Sequence, residues 1–322
     1  MKSALRYAFL IAASAAASVA CAGESQNFPA RPVRLVVATT SGSGPDLLAR
    51  QIGARLAESW GQQVVVDPRP GASGLIGAEL VARATPDGYT LWMITMTQLI
   101  STTLQQRFVV TREFAPVTMV ATTPFVIATS AALPVNSIAE LIEYAKQRPG
   151  KVLYGSGGHG STPHLCMEIF QEMAGVKLLH VPYKGTTIAM TDMMGGQVHA
   201  ACVAAPALQA FLKSGKLRAL AVTTRSATPL VPKIPPVAQA VPGFELTGWY
   251  GVLAPRDTPK HIVARVNREI AKALAIPELQ ERLFALGAEA SPSTPEEYGA
   301  FLRGEVARWG KVLKEAGIKP SE

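Results

Sequence analysis

Three observations predict an α/β chain of about two doubly wound domains. Short β-rich runs alternate with amphipathic helical stretches from Val33 onward, two glycine-rich loops each sit between a strand and a helix, and 322 residues suit about two domains. Hydrophobic residues make up 48% of the chain and charged residues 17%, a balance that supports packed cores and excludes disordered or collagen-like architecture. The formal net charge of +8 is interrupted everywhere by acids and apolar residues, so a nucleic-acid groove is not expected.

Residues 1–22 read as an export leader, because Lys2 and Arg6 precede an apolar stretch over residues 8–20. That stretch falls short of the about 20 residues needed to cross a bilayer, and no later apolar run reaches that length. Cleavage after the small-x-small run Ala20-Cys21-Ala22 releases a soluble periplasmic protein. Lipid anchoring at Cys21 is the less favoured outcome, since Ser18-Val19-Ala20-Cys21 lacks the usual Leu three residues before the Cys.

The first domain opens with a buried strand over residues 33–38, a Gly/Ser turn, and Pro45 in the first turn of a helix. Leu48, Ile52 and Leu56 form the buried stripe of that helix. Residues 64–66 make the second strand, 71–77 a loop entering a helix, and 89–94 the third strand. A second set of strands follows at 125–128, 152–154, 178–181, 198–203 and 217–222. Residues 229–242 hold five prolines and no helical period, the mark of an irregular connection back to the first domain. The C-terminal part is helical: Thr258 precedes Pro259, and Thr294-Pro295-Glu296-Glu297 forms a capping box. Phe301, Leu302, Trp309 and Leu313 then supply an apolar face. The expected limits are a discontinuous first domain over 23–122 and 228–322 and a second domain over 123–227. Once the leader departs, Cys166 and Cys202 remain; an oxidising compartment permits their disulfide, but spacing alone leaves it open.

The two glycine-rich loops carry the functional reading. They are Thr39-Thr40-Ser41-Gly42-Ser43-Gly44-Pro45-Asp46 and Gly155-Ser156-Gly157-Gly158-His159-Gly160-Ser161-Thr162-Pro163-His164. In a strand-to-helix loop, free backbone N–H groups and the positive end of the helix dipole face the crevice at the carboxyl ends of the strands. Such a loop receives an anion without Arg or Lys. An ordinary βα turn explains one such loop, and a matched pair facing one cleft is better explained by a ligand. Asp46 in the first helical turn is expected to shape the first loop rather than touch an anion. Thr95, Thr97 and Gln98 follow the third strand and face the same edge. The candidate ligand-binding set is Ser41, Gly42, Ser43, Gly44, Asp46, Thr95, Thr97, Ser156, Gly158, Gly160, Ser161, His164 and Asp192, with no catalytic residue, cofactor or metal expected.

Three rival chemistries are weaker. Gly155, Gly157 and Gly160 fit G-x-G-x-x-G, but no acid stands near Tyr183-Lys184, where a ribose-binding carboxylate belongs. An exported serine hydrolase using Ser161 or Ser156 with His164, and with Asp192 in the same domain, is the alternative function, although no G-x-S-x-G elbow occurs. His159 and His164 are five apart and His180, His199 and His261 are scattered, with no H-x-x-x-H spacing or carboxylate partner to organise them.

At these loops the sequence resembles the solute-binding proteins of tripartite tricarboxylate transporters, the Bug family. The matching stretches are Pro29-Ala30-Arg31-Pro32-Val33-Arg34, Gly71-Ala72-Ser73-Gly74-Leu75-Ile76-Gly77-Ala78, Pro86-Asp87-Gly88-Tyr89-Thr90, Gly158-His159-Gly160-Ser161 with His164-Leu165, His180-Val181-Pro182-Tyr183-Lys184-Gly185, Gly195-Gly196-Gln197-Val198, and Trp249 with Ala254-Pro255. The resemblance implies a two-domain type II periplasmic-binding fold with a ligand cleft between two sheets, closing on a small organic acid. It also implies membrane transporter subunits or a sensor receptor as partners, and a monomer is expected. The first loop departs from the family's Pro-Gly-Gly pattern: Ser41 and Ser43 stand where Pro and the second Gly are usual.

Overall fold

The computed structural model describes residues 28–106 and 108–315. The leader, its cleavage site, Cys21 and the last seven residues lie outside the described residues.

Eight of the ten strands among the described residues follow one another in the order β2-β1-β3-β9-β4-β7-β5-β6, and the other two pair with β4: β10 (Glu289–Ala290) with Ala121 and Thr122, and β8 with Val126–Ser130. The first wing holds β1 (Val33–Val37), β2 (Val64–Pro68) and β3 (Thr90–Thr95), all parallel. The second holds β5 (Leu153–Ser156), β6 (Leu179–Pro182) and β7 (Ala200–Ala204), also parallel. Between them run two antiparallel strands, of which the sequence predicts only residues 125–128. One is β9 (Thr247–Pro255), antiparallel to β3; the other is β4 (Phe114–Ser130), antiparallel to both β9 and β7.

The 17-residue β4 changes partners between Pro124, opposite Thr247 of β9, and Phe125, opposite Ala204 of β7. It therefore belongs to both wings. The sequence reading caught only residues 125–128 because Pro116 and Pro124 interrupt the strand pattern. Register shifts at Pro116/Thr118 and Met119/Ala121 let the ladder absorb this irregularity. After β8 (Leu217–Val222) the chain returns through the proline-rich segment, whose regular structure among the described residues is one 3₁₀ turn at Val237–Gln239.

Helices cover both faces. Leu48, Ile52 and Leu56 of α1 (Gly44–Trp60) are all buried, and they pack with Val33, Leu35 and Val37 of β1 in one apolar cluster. In order follow α2 (Leu75–Ala82), α3 (Met96–Gln105), α4 (Val110–Glu113), α5 (Ile138–Gln147), α6 (Thr162–Ala174), α7 (Thr186–Met194) and α8 (Ala205–Leu212). The last three are α9 (Lys260–Leu274), α10 (Pro277–Ala285) and α11 (Pro295–Glu315). The capping box opening α11 forms as the sequence predicts: Thr294 N–H donates to Glu297 Oε2 at 2.9 Å, and Glu297 N–H to Thr294 Oγ1 at 3.2 Å.

Cys166 of α6 and Cys202 of β7 form a disulfide with Cα atoms 6.2 Å apart, which settles the pairing that spacing left open. A single apolar cluster runs from Trp92 of β3 through Phe125 of β4 to Tyr154 and Phe170 of the second wing, so the two wings share a core at the crossing strands.

Candidate solute cleft

The carboxyl ends of the parallel strands of both wings meet at one cleft, which encloses about 840 Å³ including its mouth. Six helices begin on its wall: Ser43 and Gly44 stand at the start of α1, Gly74 at α2, Thr95 and Thr97 at α3, Ser161 and Thr162 at α6, Gly185 and Thr186 at α7, and Ala204 at α8. Each helix start brings backbone N–H groups that have no partner within the helix, and a positive partial charge. Lys184, just before α7, is the one charged side chain among the described lining residues, and no carboxylate lines the cleft there. Pro45, Met96, Phe125, Pro163, Trp249 and Tyr250 make the wall largely apolar.

The first loop is held from behind by Asp46. Its carboxylate is 2% exposed and accepts the Gly42 N–H at 2.9 Å, while Arg50 donates to both of its oxygens at 3.0 Å. Ser43 Oγ bonds Thr39 Oγ1 at 2.7 Å, which aims the α1 N-cap residue at the cleft. At α3, Thr95 and Gln98 form a capping box, and Gln98 lies so close to Gly74 that a Cβ there would come within 2.3 Å of Gln98 Cγ. With φ of +96°, position 74 is suited to Gly on both counts.

The wings touch across the cleft. Thr97 Oγ1 bonds Thr162 Oγ1 at 3.0 Å and accepts the Thr162 N–H at 3.3 Å; Ser73 Oγ donates to the His159 carbonyl at 3.2 Å. Gly185 lies so close to Thr40 that a Cβ would sit 3.1 Å from Thr40 Cγ2.

Of the candidate set, Ser43, Gly44, Thr95, Thr97 and Ser161 lie on the cleft wall, and the other eight are not among its lining residues. Ser41, Gly42 and Asp46 build the first loop from its far side. Ser156 is fully buried and braces the second loop: it donates to Gly158 O and accepts Gly158 N–H, both at 3.1 Å. Gly158 and Gly160 supply left-handed turns with φ of +117° and +70°. Asp192 accepts the Tyr183 hydroxyl at 2.8 Å; burial and this carboxylate push that phenol up to about 12.

His164 is buried, and its Nδ1 accepts the Gly160 N–H at 3.2 Å. Burial and the neighbouring His159 push His164 down to about 4, and burial with His164 and His159 does the same to His180. Both rings are therefore neutral near pH 7.

The hydrolase alternative finds no support in this geometry. Ser161 Oγ caps α6 by accepting the His164 backbone N–H at 3.4 Å, and Ser156 Oγ pairs with His180 Nε2 at 2.6 Å rather than with His164. The histidines also correct the sequence reading. His180 is not apart from His159 and His164, because β6 pairs parallel to β5 with His180 opposite Tyr154 and so enters the second loop's neighbourhood. Each offers a ring nitrogen within 4.8 Å of the others.

The wall also includes residues outside the candidate set, among them Pro70, Gly71, Ser73, Thr123, Phe125, Lys184, Gly185, Thr186, Trp249 and Tyr250. Two local signals were present: the Gly71–Gly74 turn and the Tyr183-Lys184-Gly185 turn each precede a helix. Trp249 and Tyr250 needed β9, whose place between β3 and β4 is a long-range fact. Trp249 Nε1 donates to Glu305 Oε2 of α11 at 2.9 Å, so the C-terminal helix buttresses this wall.

A family model described as the tripartite tricarboxylate transporter family receptor matches residues 48–318. Protein BugT of Bordetella pertussis is 34% identical over 310 residues, 95% of each chain. The solved structure of R. palustris Rpa4515 with adipate is 40% identical, with a TM-score of 0.88, and covers 91% of this chain and 100% of its own. MatC from Rhodopseudomonas palustris with bound malate is 29% identical, with a TM-score of 0.83, and covers 89% of this chain and 100% of its own. With this two-domain architecture and a match over most of its length, the chain belongs to the tripartite tricarboxylate transporter receptor family.

Proposed function

We propose that this protein is a periplasmic receptor that captures a mono- or dicarboxylate with an apolar body and presents it to the membrane subunits of a tripartite transporter. The leader is removed after Ala22, the protein acts as a monomer, and its lobes divide near residues 123 and 228. The single observation carrying this reading is the convergence of six helix starts and Lys184 on a cleft without carboxylates among its described lining residues. Helix N-termini and one ammonium suit one or two carboxylates. A tricarboxylate brings a third charge to a wall that is mostly Pro, Met, Phe, Trp and Tyr, where an unpaired charge is costly. The adipate and malate of the two related structures are dicarboxylates, in keeping with this choice.

The test is thermal unfolding of the protein from residue 23, refolded to strip bound solute, across adipate, malate, benzoate and citrate. A ligand at a hundred times its dissociation constant adds about 2.7 kcal/mol, a shift of several degrees. The reading expects the largest shift from an acid with an apolar body. A largest shift with citrate overturns the choice of solute class, and silence across the panel overturns the carboxylate assignment.

A further inference from the structure

The histidines behind the second loop carry an inference independent of the solute. His159 lies in the loop after β5, His164 in the first turn of α6 and His180 in β6. Their ring centroids are 4.1 Å apart for His164 and His180, 4.8 Å for His159 and His164, and 6.4 Å for His159 and His180. None of the three lines the solute cleft.

Imidazoles gathered with this density have lone pairs to offer, and the surrounding groups hold them in place. Tyr154 stacks on His180 with centroids 4.9 Å apart, and Ser156 Oγ engages His180 Nε2 at 2.6 Å, leaving Nδ1 to face a ligand. A partner on the second nitrogen is the usual means of orienting a metal-binding imidazole. His164 Nε2 lies 3.8 Å from Glu168 Oε1, an oxygen that also accepts from Tyr154 Oη and from Gln171 Nε2. A carboxylate thus stands next to the cluster as an outer partner.

We propose that His159, His164 and His180 form a binding site for one divalent transition-metal ion of the class that imidazole prefers, such as zinc, nickel or copper. Three nitrogen ligands with a fourth position for water suit such an ion and do not suit calcium or magnesium, which take oxygen. The nitrogens lie within 4.8 Å of one another, whereas tetrahedral zinc ligands stand about 3.4 Å apart. The exposed His159 loop has to move in by about that difference. Coordination at His164 also gives up the Gly160 N–H bond to Nδ1 or inverts the ring tautomer. Both demands place the affinity below that of a closed four-ligand structural zinc site. Because the His159 carbonyl accepts from Ser73 of the opposite wing, a bound ion fastens the second loop at the point where the wings touch.

The experiment is calorimetric titration of ZnCl2 alone into tag-free protein from residue 23, dialysed against a chelator and then freed of it, with no carboxylate in the buffer. The expected result is one saturable zinc per chain, displaced by nickel or copper and indifferent to calcium and magnesium. His159→Ala weakens zinc at least about tenfold while leaving the melting temperature of the metal-free protein unchanged, since this ring is exposed. His261→Ala, at an exposed position outside the cluster, leaves zinc binding intact. Absence of one-to-one saturation, parental affinity in His159→Ala, or an equal loss in His261→Ala overturns the proposal. His159 is chosen because replacing the buried His164 risks the fold itself.

Discussion

A single side chain added at Gly185 separates closure of the cleft from the stability of either wing. Gly185 has φ of 177°, an extended conformation open to any residue, so a side chain there meets no backbone strain. A Cβ at this position lies 3.1 Å from Thr40 Cγ2 and 3.3 Å from Thr40 Oγ1, and Thr40 belongs to the opposite wing. Gly185→Val adds two methyl groups beyond that Cβ, and overpacking of this kind costs about 1–3 kcal/mol. The cost falls on the closed arrangement, so solute affinity drops by about 5- to 150-fold. The ligand-free protein loses only the preference for Gly at the α7 N-cap, about 1 kcal/mol or less. Titration calorimetry with the tightest acid of the panel gives the first quantity and denaturant unfolding without ligand gives the second. Gly185→Ala falls between the parent and Val. Unchanged affinity in Gly185→Val refutes the contact as part of the bound state. A ligand-free loss as large as the affinity loss shows instead that Gly185 serves the fold of its own wing.

Other parts of the structure make equally definite predictions. The Cys166–Cys202 disulfide spans a sequence separation of 36, for which the chain-entropy relation gives about 4 kcal/mol; replacing both by Ala lowers the denaturation midpoint accordingly, and coincident midpoints contradict it. His164 takes up its proton near pH 4 when folded and near 6.5 when unfolded. The stability from keeping it neutral is therefore complete above pH 6.5 and is lost as pH falls toward 4, by about 3 kcal/mol, with His180 acting in the same direction. A melting temperature of the metal-free protein that stays flat from pH 7.5 to 5 counts against this. Ser161→Ala removes the α6 cap, at about 1 kcal/mol, and takes a hydroxyl off the cleft wall. Its solute affinity falls by about two- to tenfold, measurable by the same titration, and parental affinity removes Ser161 from the site.

The sequence was most legible where local chemistry decides the structure. Strand β8 forms at residues 217–222 as expected, the Thr294–Glu297 capping box forms with both of its hydrogen bonds, and the five-proline segment stays irregular. It was least legible where distant segments meet. Strand β9 is buried on nearly every residue as an inner antiparallel strand, so it shows none of the alternation that marks a half-buried one. Two prolines hid most of β4 for a different reason. The site followed the same division: glycine-rich loops before helices identified the anion-facing ends, but only part of such a loop reaches the cleft. Ser43 and Gly44 line the cleft while Gly42 turns its N–H toward Asp46. The His159–His164–His180 cluster depends on the pairing of β5 with β6, which sequence spacing does not express.

The central claim is that the cleft reads the charge of a carboxylate through helix N-termini. The most direct test is calorimetric titration of the refolded protein with adipate and with its dimethyl ester, which keeps the apolar body and removes both charges. The account predicts saturable one-to-one binding of the diacid and at least about a hundredfold weaker binding of the ester, as expected when charge-assisted hydrogen bonds are lost at two ends. Equal binding of the two, or binding of the ester alone, contradicts it.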